Sequence, residues 1–230
     1  MLKTLSFYLL AVIAIPGIVA SEGCSVKVKE EIKVSDSKQS AGADTALAVI
    51  DTSKTLEHAT FAMGCFWHSE EMFLEIKGVK EALPGYSGGT KENPTYDEVG
   101  EGNTGYAESV DVTFDPSIIS YQQLLEIFFT EHDPTTPNFS YPDEGPQYRS
   151  MVFYRTPVQK QQAEAYIAKL NGLHTYPKPI VTEVAPFTKF YRAEDYHLRY
   201  FRKHPDQPYI AHVTKGEIEK FRKDFASLLK

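Results

Sequence analysis

The chain has 230 residues, 42% hydrophobic and 13% aromatic, enough for one globular domain with additional segments at an end. A formal net charge of −7 leaves no surplus of lysine and arginine for a nucleic-acid or anionic-membrane surface. Two cysteines and seven scattered histidines give neither a disulfide framework nor the Cys/His spacing of a zinc site.

Lys3 precedes an apolar run from Leu5 to Ala20, shorter than the roughly 20 residues of a spanning helix and closed by Ile18-Val19-Ala20. Residues 1–20 therefore read as a signal peptide, with export to a periplasm or cell envelope; a retained anchor is the alternative. Its removal takes away one positive charge, leaving −7 − 1 = −8. Cys24 follows in Ser21-Glu22-Gly23-Cys24, where Gly23 suits lipid attachment to the cysteine and Glu22 and Ser21 do not. A membrane contact is expected only if Cys24 is lipidated. Residues 21–55 are polar and poor in aromatics, as a flexible linker is, and residues 56–230 make the domain.

Residues 58–63 read as a short apolar strand and 69–77 as a helix. Between them stands Cys65, followed by Phe66 and Trp67, two rings that look exposed. A thiol at a strand-to-helix turn meets unpaired N–H groups and the helix dipole, which favour the thiolate, so Cys65 is the candidate nucleophile. Residues 84–89 and 93–96 read as loops, without the following helix start that phosphate binding requires.

Residues 106–114 alternate as a strand, with Tyr106, Glu108, Val110, Val112 and Phe114 on one face. Glu108 thus projects from the apolar side, where its neutral form is favoured and its pKa rises. The plainer reading is a carboxylate solvated at the strand's open end. Ser120 caps a helix that buries Tyr121, Leu124, Leu125, Phe128 and Phe129, and residues 133–147 form a long loop. A strand over 148–154, a helix from Thr156-Pro157 to Leu170-Asn171-Gly172, a strand over 180–186 and helices over 194–203 and 215–229 complete the domain. The irregular mixture predicts an α+β fold, a two-layer sandwich of helices around a mixed, mainly antiparallel sheet with a ferredoxin-like core.

Five blocks of the chain carry a resemblance. They are Gly64-Cys65-Phe66-Trp67 with Glu70, then Gly85-Tyr86-Ser87-Gly88-Gly89, Asn93-Pro94-Thr95-Tyr96, Thr104-Gly105-Tyr106-Ala107-Glu108, and Asp143 with Gly145-x-Gln147-Tyr148-Arg149-Ser150. Together with Ala193-Glu194-Asp195-Tyr196-His197 they resemble the peptide methionine sulfoxide reductases of the A type, from about residue 58 to 210. The resemblance implies that Cys65 attacks the sulfur of methionine-S-sulfoxide, free or in proteins, and becomes a sulfenic acid. It implies that Glu108 supplies the proton, that the Tyr96 and Tyr148 phenols hold the sulfoxide oxygen, and that Phe66 and Trp67 grip the substrate methyl group. Asp143 matches a carboxylate of the same network, and a turn residue is its other reading. His197 and Tyr196 are expected to support the site from behind.

The resemblance implies no cofactor beyond an external thiol such as thioredoxin, and a monomer. The resolving cysteine frequent in such proteins after a Gly-Tyr pair is absent after Gln207-Pro208-Tyr209-Ile210, and His68 stands where glycine is common. An external dithiol or Cys24 must then reduce the sulfenic acid. A thiol peroxidase, or a methionine-binding module without turnover, are the alternative functions.

Overall fold

The computed structural model describes residues 55–230; the predicted export signal, Cys24 and the linker up to residue 54 lie outside the described residues. In chain order the elements are β1 (Glu57–Ala62), α1 (Phe66–Glu75), β2 (Val79–Ser87), α2 (Tyr96–Gly100), β3 (Ala107–Phe114), α3 (Tyr121–Thr130), β4 (Phe139–Ser140) and β5 (Asp143–Glu144). They continue with β6 (Met151–Tyr154), α4 (Pro157–Gly172), β7 (Glu183–Pro186), β8 (Phe190–Arg192), α5 (Tyr200–Lys203) and α6 (Lys215–Asp224). The main sheet runs β7-β6-β1-β3-β2-β8, antiparallel at each step except the parallel pair β6–β7. This is an α+β fold on a mixed, mainly antiparallel sheet.

One side of the central strands builds the core. Ala59, Phe61 and Met63 from the β1 segment and Val110, Val112 and Phe114 from β3 join Phe73, Leu124, Phe128, Leu170 and Phe221 of the helices in one buried cluster. Burying each such aromatic or branched side chain contributes roughly 1.5–3 kcal/mol, so this face fixes how the helices lie on the sheet. The other face carries polar groups: Arg155 donates to Asp111 at 2.6 Å and to Thr60 at 3.0 Å.

The helices with clear caps begin where the sequence predicts. Ser120 and Gln123 form a capping box at α3, and Thr156 caps α4 with Pro157 in its first turn. Other boundaries move. Helix α1 starts at Phe66 and not at residue 69, and Cys65 is its N-cap. Residues 84–87, expected in a loop, belong to β2, where the Pro84 carbonyl accepts from the Ala193 N–H at 2.9 Å. The expected helix over 194–203 divides into a 3₁₀ turn at Asp195–His197 and the short α5, because Arg199 between them is left-handed at φ 58°. The last helix follows a π-helical turn at Ile210–Thr214 and ends at Asp224. The long loop over 133–147 contains the β4–β5 hairpin, with a cis peptide at Tyr141-Pro142, and a 3₁₀ turn at Pro146–Tyr148.

Candidate active site

Strand register brings the nucleophile and the acid together. Phe61 of β1 lies opposite Val110 of β3, and continuing the antiparallel pairing sets Met63 opposite Glu108. The chain then turns through Gly64 into α1. Gly64 has φ +90°, and a Cβ there would come within 2.3 Å of the Ser140 hydroxyl, so only glycine admits the turn with the β4–β5 hairpin packed on it. That hairpin carries Asp143.

Cys65 supplies no side-chain cap to α1, and the first N–H groups of the helix are met by reactive groups instead. The Phe66 N–H donates to Glu108 Oε2 at 3.0 Å, and the Trp67 N–H donates to the Cys65 sulfur. The Tyr209 hydroxyl donates to Asp143 Oδ2 at 2.5 Å and also bonds the sulfur.

Glu108 is 3% exposed and does lie on the core face. Burial raises its carboxyl from 4.5 to about 8, against the pull of the Phe66 N–H; the nearby Asp143 adds to the rise. The thiol departs from expectation. The helix N-terminus was expected to favour the thiolate, but burial raises Cys65 well above its usual range, and Glu108 and Asp143 raise it further. The Trp67 N–H and the contact with the Tyr209 hydroxyl lower it by less. At neutral pH the site therefore holds two protons, one on sulfur and one on Glu108. Low dielectric outweighs the helix dipole here, because half a charge at a helix end offsets little of the cost of burying a full one.

The aromatic residues form the wall. Phe66 is not exposed but 1% accessible, packed between Tyr86 and Tyr96 with centroids at 5.9 and 6.2 Å. Trp67 is half-buried and stacks on Tyr200 at 3.9 Å and 10°. Its indole N–H donates to His197 Nδ1 at 2.9 Å, which fixes the His197 tautomer with its proton on Nε2, 3.9 Å from Glu194. Burial lowers His197 to about 4, so the ring is neutral. Burial also raises the phenols of Tyr96 and Tyr148, and in both the next cause is the charge of Glu108. Both phenols thus lie near the acid and keep their protons.

The structure brings Cys65, Glu108, Tyr96, Tyr148, Phe66, Trp67 and Asp143 into one neighbourhood. Asp143 enters as the acceptor for Tyr209. Three members had no role in the sequence reading, although Tyr86 and Glu194 stand in its blocks. Tyr209 lies in a segment noted only for its lack of a cysteine. Tyr86 donates to Glu194 Oε2 at 2.8 Å, and Glu194 Oε1 accepts the Tyr96 N–H at 2.9 Å. Thr95 and Glu98 are a capping box that could have announced α2, and with it the orientation of Tyr96. Glu70, in the cysteine block, holds the Arg199 N–H and guanidinium at 2.8 to 3.1 Å. Among the described residues no three His, Cys, Asp or Glu side chains gather as a metal would need.

The model of a family described as "Peptide methionine sulfoxide reductase" matches residues 57–229. A Thermus thermophilus protein named peptide methionine sulfoxide reductase MsrA is 49% identical over 174 residues, 76% of this chain and 98% of its own. One of the same name from Sulfolobus acidocaldarius is 49% identical over 170 residues, 74% of this chain and 96% of its own. The crystal structure of reduced Mxr1 from Saccharomyces cerevisiae is similar at a TM-score of 0.62 and 32% identity, covering 66% of this chain and 87% of that one.

Proposed function

This chain belongs to the peptide methionine sulfoxide reductases of the A type, oxidoreductases that return methionine sulfoxide to methionine, and on that premise we propose that its turnover runs through Cys65 and Glu108. The observation that carries this reading is a carboxyl held neutral to about pH 8, bonded to the first N–H of the helix that Cys65 caps. Sulfoxide sulfur accepts a nucleophile readily only when its oxygen takes a proton. Glu108 gives that proton while Tyr96 and Tyr148 donate to the same oxygen, and the Cys65 sulfur attacks. Its own proton passes to Glu108 as an S–S bond forms; the hydroxyl then moves from the substrate sulfur to the Cys65 sulfur while that S–S bond breaks, leaving Cys65 as a sulfenic acid beside methionine.

A thiol pair then completes the cycle: one thiol displaces water from the sulfenic sulfur, and the second releases Cys65 as a disulfide forms. Cys65 is the one cysteine among the described residues, which favours an external donor of the thioredoxin kind over an internal resolving cysteine. The Phe66 and Trp67 wall suits the methyl group of the S epimer. A peroxidase needs a standing thiolate, and the raised Cys65 thiol disfavours that alternative. Residues 1–20 are read as an export signal, so the substrates are oxidised methionines outside the cytoplasm. The run β6-β1-β3-β2, crossed by α1 and α3, is read as the ferredoxin-like core.

Purified protein with dithiothreitol should consume the S but not the R epimer of acetylated methionine sulfoxide, and Cys65→Ser should be inactive. Full activity of Cys65→Ser would overturn the reading.

A further inference from the structure

A chain of net charge −7 carries a concentrated positive face next to this site. One cavity of about 370 Å³ is lined by Lys80, Arg199, Arg202 and Lys230 with Leu74 and Glu75. A second, of about 520 Å³, shares Arg199 and adds Arg192 and Lys203, with Glu81 as its acid. Most nearby acids are already engaged: Glu70 and Glu71 hold Arg199 and Arg202, and Glu75 holds Arg222. Arg202 uses only its Nε, at 2.8 Å from Glu71, so the two terminal nitrogens of its guanidinium are free to form a fork. Lys80 and Lys203 are exposed, and neither ammonium has a partner among the described residues. The Lys230 ammonium is lowered by burial and then by Arg202, Arg199 and Lys80, the sign of cations crowded without enough negative charge among them.

The face and the aromatic wall adjoin in the chain at Arg199-Tyr200. Arg199 directly precedes Tyr200, which covers Trp67. Leu74 lies nine residues along from Cys65, roughly 14 Å at 1.5 Å per residue. An extended peptide covers that span in about four residues.

We propose that the two cavities joined at Arg199 form a docking track for an acidic segment of a protein substrate, lying about four to six residues from its methionine sulfoxide. The track rests on the reading of Cys65 as the nucleophile and adds a substrate class to it. Carboxylates of the substrate pair with Lys80, Lys203 and the free edge of the Arg202 guanidinium.

Four peptides test it with the full-length protein, each bearing one methionine sulfoxide and a run of three Glu or three Gln that begins four residues away on one flank or the other. Net charge alone would make the Glu peptide the poorer substrate. The track predicts the reverse, a kcat/KM ratio of Glu to Gln peptide of about 3- to 10-fold at low salt, carried by KM and falling towards one in concentrated salt. In the double variant Lys80→Gln, Lys203→Gln the ratio should drop to half or less. A ratio of one or below in the wild type, on both flanks of the sulfoxide, overturns the track, as does a ratio the double variant leaves unchanged. Turnover of the Gln peptide reports the reaction itself, so failure there counts against Cys65 and failure of the ratio against the track alone.

Discussion

Burial keeps the proton on Glu108, and the charge of Glu108 helps keep the proton on Cys65, so their titrations give predictions with definite signs. The Glu108 carboxyl is raised from 4.5 to about 8, so its proton is present below that value and lost above it. A reaction that needs the proton slows as pH climbs through about 8, and Glu108→Gln should lose roughly two orders of magnitude or more in kcat at neutral pH. An unchanged rate would remove Glu108 from the acid role. Between pH 4.5 and about 8 the folded chain holds a proton that the unfolded chain has released, so stability falls with rising pH in that window. Glu108→Gln abolishes that loss and should melt no lower than wild type at pH 8, as calorimetry would show. The charge on Glu108 also raises the thiol. Iodoacetamide should therefore label Cys65 slowly at neutral pH in wild type and faster in Glu108→Gln at pH 8 to 9. At this scale the sequence spoke clearly where a residue contradicted its setting: Glu108 on an apolar face, a lone cysteine at a turn. It gave no role to Tyr209 and Glu194, which are ordinary until folding sets them beside sulfur and phenol.

Elements act here as positioning devices. The turn at Gly64 admits no side chain, since a Cβ would meet Ser140 at 2.3 Å and a φ of +90° is strained for any other residue. Gly64→Ala should cost about 2 kcal/mol or more in unfolding experiments and depress activity, because the displaced hairpin carries Asp143 and so Tyr209. Glu70 ties α1 to the left-handed Arg199, and through it to His197 and Tyr200 around the indole. Glu70→Ala leaves the part-buried Arg199 N–H unpaired, at about 1 kcal/mol. Trp67 is the single tryptophan of the chain, so its emission should shift to the red as the Tyr200 cover loosens. An unshifted spectrum would show that α5 stays in place without this tie. Helices α3 and α4 were legible from Ser120, Thr156 and Pro157, because capping is local chemistry. The break at Arg199 was not, because a partner 129 residues away holds it.

For the molecule as a whole, one cysteine among the described residues means one reducing equivalent pair short of a cycle. Without added thiol the protein should release one methionine per chain and stop; dithiothreitol should restart it. Cys24→Ser should keep at least half of the turnover with a thioredoxin-like donor. Loss of that turnover with the single methionine retained would assign the resolving step to Cys24. The order of the blocks gave the family and, through the resemblance, the pairing of Cys65 with Glu108; the strand patterns gave the α+β class and set Glu108 on an apolar face, because residue type and alternation are written locally. Tertiary structure alone decided the protonation of the thiol. The sequence shows a helix start that favours the thiolate, but only the folded surroundings show how much protein and how many carboxyls crowd the sulfur, and that burial outweighs the dipole.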